Sequence, residues 1–235
     1  LVGSVTRGST RWIELGPINY QPSQFAIPAL IFFSAWILTR TSLTTLRSFS
    51  LVTLLLGIPL GLIFIEPDLD TTIVLGVSIA LVVFVSDIRP AYMFGTIALA
   101  ILGAMLSWTL LLQPYQKQRI LTFSGDSDPQ GAGYNALQSK IAVGSGQLTG
   151  RGLGHGVQSQ LKFLPERQTD FIFASLAEET GFVGASFVLI IYVLLIIFMV
   201  YILNKSSTPF HRYILVGAIG VLTFQVFVNV GMNMG

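Results

Sequence analysis

Residues 163–179 read FLPERQTDFIFASLAEE, and the chain then runs apolar for most of the way to Leu203. Glu166, Arg167, Asp170, Glu178 and Glu179 therefore stand at the entrance to a segment suited to hydrocarbon. As one helix, residues 171–203 would measure ~50 Å at ~1.5 Å per residue, against a bilayer core of ~30 Å. A single crossing cannot use all of it. The first turns, holding Glu178 and Glu179, are expected at the interface, or the helix is expected to break near Gly181 and Gly184.

Working outward, residues 22–39, 49–65, 71–86, 91–112 and 213–230 are further apolar runs near the ~20 residues a spanning helix needs. AYMFGTIALAILGAMLSWTLLL, residues 91–112, is the clearest of them. The chain is 52% hydrophobic and 10% charged, where a soluble domain carries about 25% charged residues. The expected fold is all-α and polytopic, with about six transmembrane helices and one large loop over residues 113–170. Zero cysteines exclude disulfides, thiolate metal sites and a cysteine nucleophile. The net charge is +2 and no basic block of the nucleic-acid kind occurs. The opening LVGSVTRGST has no charged region ahead of an apolar run, so it does not read as a signal peptide.

Basic residues in short connections set orientation. Arg40 and Arg47 flank one connection, Arg89 lies in another, and Lys205 and Arg212 flank a third. Alternate crossings put these on one face, read as cytoplasmic. EPDLD at 66–70 and the loop 113–170 then face outward together. The loop also holds Lys117, Arg119, Lys140, Arg151, Lys162 and Arg167, but it nears the length at which loops translocate regardless of charge.

Several stretches admit more than one chemistry. Asp170, or Thr169 beside it, could cap the helix that follows. Glu178 lies two turns past Asp170, ~12 Å along a helix axis, beyond the ~5–9.5 Å of a glycosidase carboxylate pair, so both glutamates read as structural anchors. GSGQLTGRGLGHG at 144–156 fits neither a dinucleotide fingerprint nor a P-loop. It reads instead as a folded, close-packed loop in which glycines make tight turns, with His155 as a loop hydrogen-bonder. EPDLD lacks the glycine and terminal glutamate of a calcium loop. Glu66, Asp68 and Asp70 could still hold a divalent cation, Mg or Mn, or Asp70 could cap a helix beginning at Thr71.

Residues 131–184, GAGYNALQSKIAVGSGQLTGRGLGHGVQSQLKFLPERQTDFIFASLAEETGFVG, carry a resemblance. STRWIELGPINYQPSQFA at 9–26, EPDLDTTIVL at 66–75 and FVNVGM at 227–232 agree with it in order. The chain resembles the SEDS family, the polytopic peptidoglycan glycosyltransferases typified by RodA and FtsW, and QKQRILTF and SDPQGAGY are closer in tone to RodA. The resemblance implies a ten-helix architecture of which this chain would lack roughly the first three helices and the last. It implies one integral membrane domain over residues 1–235, in the bacterial cytoplasmic membrane with its active site outside. It implies polymerisation of lipid II into glycan strands during cell elongation, beside a class B penicillin-binding protein.

Carried onto this sequence, the family base is Asp170 in the TDFIF string, deprotonating a sugar hydroxyl as it attacks an anomeric carbon. Lys117, Arg119, Lys140 and Arg167, in QKQR, QSK and PER, would bind the departing pyrophosphate, with Glu166 in the same PER string. Gln158 and Gln160 would hydrogen-bond sugar hydroxyls. The resemblance fixes no cofactor, and the divalent cation, Mg or Mn, stays an open candidate.

The chain departs from the family where QPSE-x-x-K becomes QPSQFAI: Gln24 and Ile27 replace an acid and a base together. Losing both is what a buried ion pair requires, since removing one strands a charge. EPDLD stands for QPDLG, and Gln168 in ERQTD for a histidine. Two other functions compete. A lipid-linked precursor flippase would show mid-helix polar groups and paired half-helices, whereas mid-helix positions here are apolar; a non-catalytic scaffold would not need Asp170.

Overall fold

The computed structural model describes residues 4–6, 9–15, 18–66, 68–112, 117, 132–160 and 168–234. Its long helices follow the apolar runs closely: α1 (Pro22–Arg40), α2 (Leu46–Ile65), α3 (Leu69–Val85), α4 (Pro90–Leu106), α7 (Ile172–Lys205) and α8 (Pro209–Met234). Five of these segments are long and apolar enough to cross a membrane, and α3, with 17 residues, is the shorter sixth. The protein is a multi-pass membrane protein. The expected 91–112 span finishes as a π-helical turn, Ser107–Leu111, in which the Leu112 amide reaches the Ser107 carbonyl at 2.8 Å. Within the loop, α5 (Ala132–Ser145) and the short α6 (Val157–Gln160) form.

Strands were not anticipated by the apolar pattern, yet β1 (Ser4–Thr6), β2 (Ser9–Leu15) and β3 (Ile18–Tyr20) pair antiparallel in that order. Leu15 lies opposite Ile18, and Ile13 opposite Tyr20. STRWIEL holds the β-branched and aromatic residues that favour a pleated ladder, too short a run to register beside the spanning helices.

Contacts divide the chain into two compact units. The first contains residues 1–102 and 198–224. Its core joins Leu30, Ile37 and Leu38 of α1, Val52, Leu56 and Ile63 of α2, Leu75, Ile79 and Val82 of α3, and Val216 of α8. Gly217 lets α8 come close: a Cβ there would lie 2.7 Å from Ile31. At one end, Leu43 and Ile88 bridge two of the connections flanked by basic residues. Arg40 there covers the Trp36 ring at 4.9 Å, and Lys205 covers Tyr201 at 4.5 Å. Such stacking suits long cations beside aromatic rings at a membrane boundary.

The second unit contains residues 103–197 and 225–235. Its organising feature is a break in α7 at Gly181, whose backbone sits at φ 68°, ψ −168°. That region is open to glycine almost alone. An unbroken helix would bond the Phe182 and Val183 amides to the Glu178 and Glu179 carbonyls. Instead Phe182 donates to Gln147 at 2.8 Å and Val183 to Leu148 at 3.1 Å. The Glu178 and Glu179 carbonyls accept from Arg151 and Gly152, both at 3.0 Å. Two helical bonds are thus exchanged for four to the glycine-rich loop, which is folded and close-packed as its composition implies. Gly146 and Gly150 allow the approach, because a Cβ on either would collide with the carbonyls of Ala177 and Glu179. The break also resolves the length of the segment: residues 182–205 give ~36 Å of helix, enough for one crossing.

Candidate active site

Asp170 sits in the turn 168–171 that leads into α7. Phe171, Phe173 and Ala174 are buried, packing with Ala142 and Val143 of α5 and with Ala177, Ala185, Leu189 and Val230. Gln168, Thr169, Asp170 and Ile172 remain exposed. The TDFIF string therefore works as an anchor pair of phenylalanines that presents the carboxylate beside them.

The backbone of this turn is held from α8. Asn233 Nδ2 donates to the Asp170 carbonyl at 3.0 Å, and Asn229 Nδ2 to the same oxygen at 3.2 Å. Asn233 Oδ1 accepts the Ala174 amide at 3.1 Å. That amide is one of the first-turn donors without a helical acceptor, since the first bond back into the turn is Ser175 to Phe171. The cap expected from Asp170 or Thr169 is thus supplied to Ala174 by Asn233. The Asp170 carboxylate makes no hydrogen bond among the described residues. On α5, Ser139 Oγ donates toward the Asn233 carbonyl and Oδ1 at 3.0 and 3.1 Å. Ser139 and Asn233 are both fully buried, while the neighbouring Lys140 is exposed.

Glu178 is an anchor, as its position implies. It is fully buried, and its Oε1 accepts the Gln158 amide at 2.9 Å. Gly156 lies against its other oxygen, where a Cβ would approach to 2.6 Å. Glu178 thereby holds the loop's second half as the Gly181 break holds its first. Gln158 itself is half-buried, and its Oε1 has no hydrogen-bond partner among the described residues. His155 is an exposed loop residue with Nδ1 3.0 Å from the Leu153 carbonyl. Lys117 is half-buried. Arg119, Lys162, Glu166 and Arg167, and the side chain of Gln160, lie outside the described residues.

In the first unit the EPDLD string contributes one carboxylate, Asp68, to a network of protein donors. Asp68 is buried, and its Oδ2 accepts from Gln21 Nε2 at 2.6 Å, Ser23 Oγ at 2.8 Å and Thr71 Oγ1 at 2.9 Å. Its Oδ1 accepts the Thr71 amide at 3.3 Å. Asp68, not Asp70, is the cap of α3, which starts two residues before Thr71. The QPS and PDLD strings, 45 residues apart, are one structural clip. Among the described residues no three acidic or histidine side chains gather as a metal site. Gln24 is exposed and reaches Thr71 Oγ1 at 3.4 Å, while Ile27 is buried. This pair is neutral, so no charge is stranded at the buried position.

Asn233 and Asn229 escaped the reading of candidate residues, although a signal was available. Two amide side chains four apart in an apolar helix are costly to bury unless each finds a partner. The same holds for Ser139.

These features belong to a recognisable class. The chain is a member of the cell cycle protein family that comprises FtsW, RodA and SpoVE, matching it over residues 1–235. It is 40% identical over 235 residues to the peptidoglycan glycosyltransferase MrdB of Escherichia coli K12, covering 99% of this chain and 64% of MrdB. A chain from a solved peptidoglycan synthase complex, described as coordinating polymerization and crosslinking, superimposes with TM-score 0.77 at 30% identity, over 100% of this chain and 66% of that one. The crystal structure of the Thermus thermophilus rod shape determining protein RodA gives 0.64 at 26%, over 100% and 61%. This chain thus spans about two thirds or less of the length of these relatives.

Proposed function

We propose that this chain forms part of a peptidoglycan glycosyltransferase that polymerises lipid II during cell elongation. The observation that carries the proposal is the Asp170 turn: an exposed carboxylate on a clamped backbone, relieved of capping by Asn233. The kinship with MrdB supports the substrate class. In the reaction, Asp170 accepts the proton of the acceptor sugar's 4-hydroxyl. The oxygen bonds to the anomeric carbon of the donor as the carbon–oxygen bond to the lipid pyrophosphate breaks. Pyrophosphate leaves as an anion and needs no protonating partner where cations meet it. Lys117, Arg119, Lys140 and Arg167 are the cations proposed for that task, Arg119 two residues after Lys117 and Arg167 three residues before Asp170. Gln158 and Gln160 would hydrogen-bond sugar hydroxyls.

The extracytoplasmic placement of this chemistry rests on the basic connections. Arg40, Arg47, Arg89, Lys205 and Arg212 mark the opposite, cytoplasmic face. A class B penicillin-binding protein is the proposed partner, supported by the likeness to a chain of a synthase complex. The broken α7 superficially favours a flippase, because transporters expose half-helix ends to their cargo. Here the two amides and two carbonyls released at Gly181 are bonded to residues 147–152, leaving those four groups none to offer.

The test is polymer formation from lipid II by the full-length protein with its penicillin-binding partner, comparing wild type with Asp170→Asn after both are shown to fold and bind the partner. Polymer from wild type alone supports the proposal. Full activity in Asp170→Asn overturns the site. Lipid II movement across liposomes without polymer transfers the protein to the flippase class.

A further inference from the structure

We infer that Asn233 is a positioning residue for Asp170, an inference that rests on the proposed glycosyltransferase reading. Three bonds define it. Oδ1 caps the Ala174 amide at 3.1 Å, and Nδ2 holds the Asp170 carbonyl at 3.0 Å and the Asn229 carbonyl at 2.7 Å. The residue is fully buried, and Ser139 donates into it from α5. One amide therefore fixes the turn at the base and the first turn of α7 at once.

The chemical consequence concerns where the Asp170 carboxylate goes. The start of α7 offers amide donors without helical acceptors, and an aspartate next to such amides is a strong cap. With Asn233 in place, the Ala174 donor is satisfied and the backbone of Asp170 is pinned on its carbonyl side. Without it, the turn can shift so that the Asp170 carboxylate bonds the amides of its own helix. A base drawn onto its own helix is displaced from a hydroxyl it must reach. Asn233 thus separates the capping role from the basic role, the two readings that the sequence leaves superposed on Asp170. It also ties Lys140, through its neighbour Ser139, to the same end of the unit.

The experiment compares Asn233→Leu, Asn233→Asp and Asp170→Asn in the full-length protein with its penicillin-binding partner, following initial polymerisation rates against lipid II concentration. Hydrogen exchange of the peptide containing residues 171–175 is read in parallel. Asn233→Leu removes cap and clamp at similar volume; Asn233→Asp keeps an acceptor for Ala174 and loses the donor to Asp170. A displacement of a reacting group by ~1 Å costs up to ~100-fold in rate, so Asn233→Leu is expected to lose ~10–100-fold in kcat with KM within about two-fold of wild type. Exchange at 171–175 rises in Asn233→Leu and stays near wild type in Asn233→Asp, while kcat falls in both. Unchanged kcat in Asn233→Leu, with Asp170→Asn inactive, overturns the inference and leaves the glycosyltransferase reading standing. An equal loss in kcat and apparent affinity, following the fraction of protein that melts early, also overturns it. Full activity in Asp170→Asn removes Asp170 as the base and the inference with it, while a wild type that makes no polymer removes the glycosyltransferase reading. If Asn233→Leu does not fold, Asn233→Asp decides: a lowered kcat with preserved exchange supports positioning, and a wild-type kcat refutes it.

Discussion

The Phe182 amide donates to Gln147 at 2.8 Å, while the carbonyl it would meet in a continuous helix, Glu178, accepts from Arg151 at 3.0 Å. The helix and the loop have exchanged partners across Gly181. A broken backbone within an apolar segment is tolerated only when protein satisfies the released groups, and residues 147–152 do so. The break and the glycine loop are therefore one device, and neither persists without the other.

Gly181→Ala and Gly150→Ala should each dislodge the loop. Both glycines adopt positive φ, and each would drive a Cβ into the other segment's backbone. Left-handed backbone alone costs an L-residue roughly 1–2 kcal/mol, so losses above that are expected, read as lower melting temperature and new protease cleavage within 146–156. Gly144→Ala, in the last turns of α5 with open space around it, is the control. It should be neutral or stabilising by up to about 1 kcal/mol.

Glu178→Gln and Glu178→Ala should separate hydrogen bonding from charge. Glutamine retains an acceptor for the Gln158 amide and should lose less than alanine. Alanine leaves that amide unsatisfied next to Gly156; hydrogen bonds to charged groups contribute about 1.5–3 kcal/mol, and a loss of that size is expected. Thermal unfolding in detergent with the partner bound measures both.

Asp68→Asn should weaken the clip between Gln21, Ser23 and Thr71 and destabilise by ~1–3 kcal/mol. Because Asp68 accepts protein donors, the dependence of polymerisation on Mg or Mn after chelation should match that of wild type. A selective loss of metal response in this variant would move the carboxylate into a cation site.

Ile27→Lys should be strongly destabilising, because Ile27 is buried and an unpaired charge there has no partner. Adding Gln24→Glu, three residues earlier on the same helix, should recover part of the loss. A coupling energy of about 0.5–3 kcal/mol in a double-mutant cycle is expected for a restored pair. Simple additivity would show that the two positions do not communicate.

Much of the architecture was legible in the sequence. A chain in hydrocarbon must satisfy its backbone within helices, so apolar runs map onto helices to within a few residues, and the excess length of 171–203 announces its own break. Asp170 is proposed as the base through its motif, and Glu178 was legible as an anchor from its place at the mouth of a span. The strands at 4–20 were obscured, since short β-ladders depend on pairing that composition only weakly marks. The cap of α3 is Asp68 rather than Asp70, because the helix begins at Leu69, two residues before Thr71, and the Thr71 amide bonds the Asp68 carboxylate.

Composition and hydropathy by themselves determined that this is a polytopic helical membrane protein and where its helices run, while the choice of Asp170 rests on the family resemblance. Those properties are local: each depends on residues near one another in the chain. Tertiary structure alone decided that Asn233 caps a helix 59 residues away, that the glycine loop seals the break in α7, and that Asp68 closes onto Gln21 and Ser23. Each of these is a hydrogen bond between distant segments. No pattern of neighbours encodes such a bond, because its geometry exists only once the intervening helices have packed.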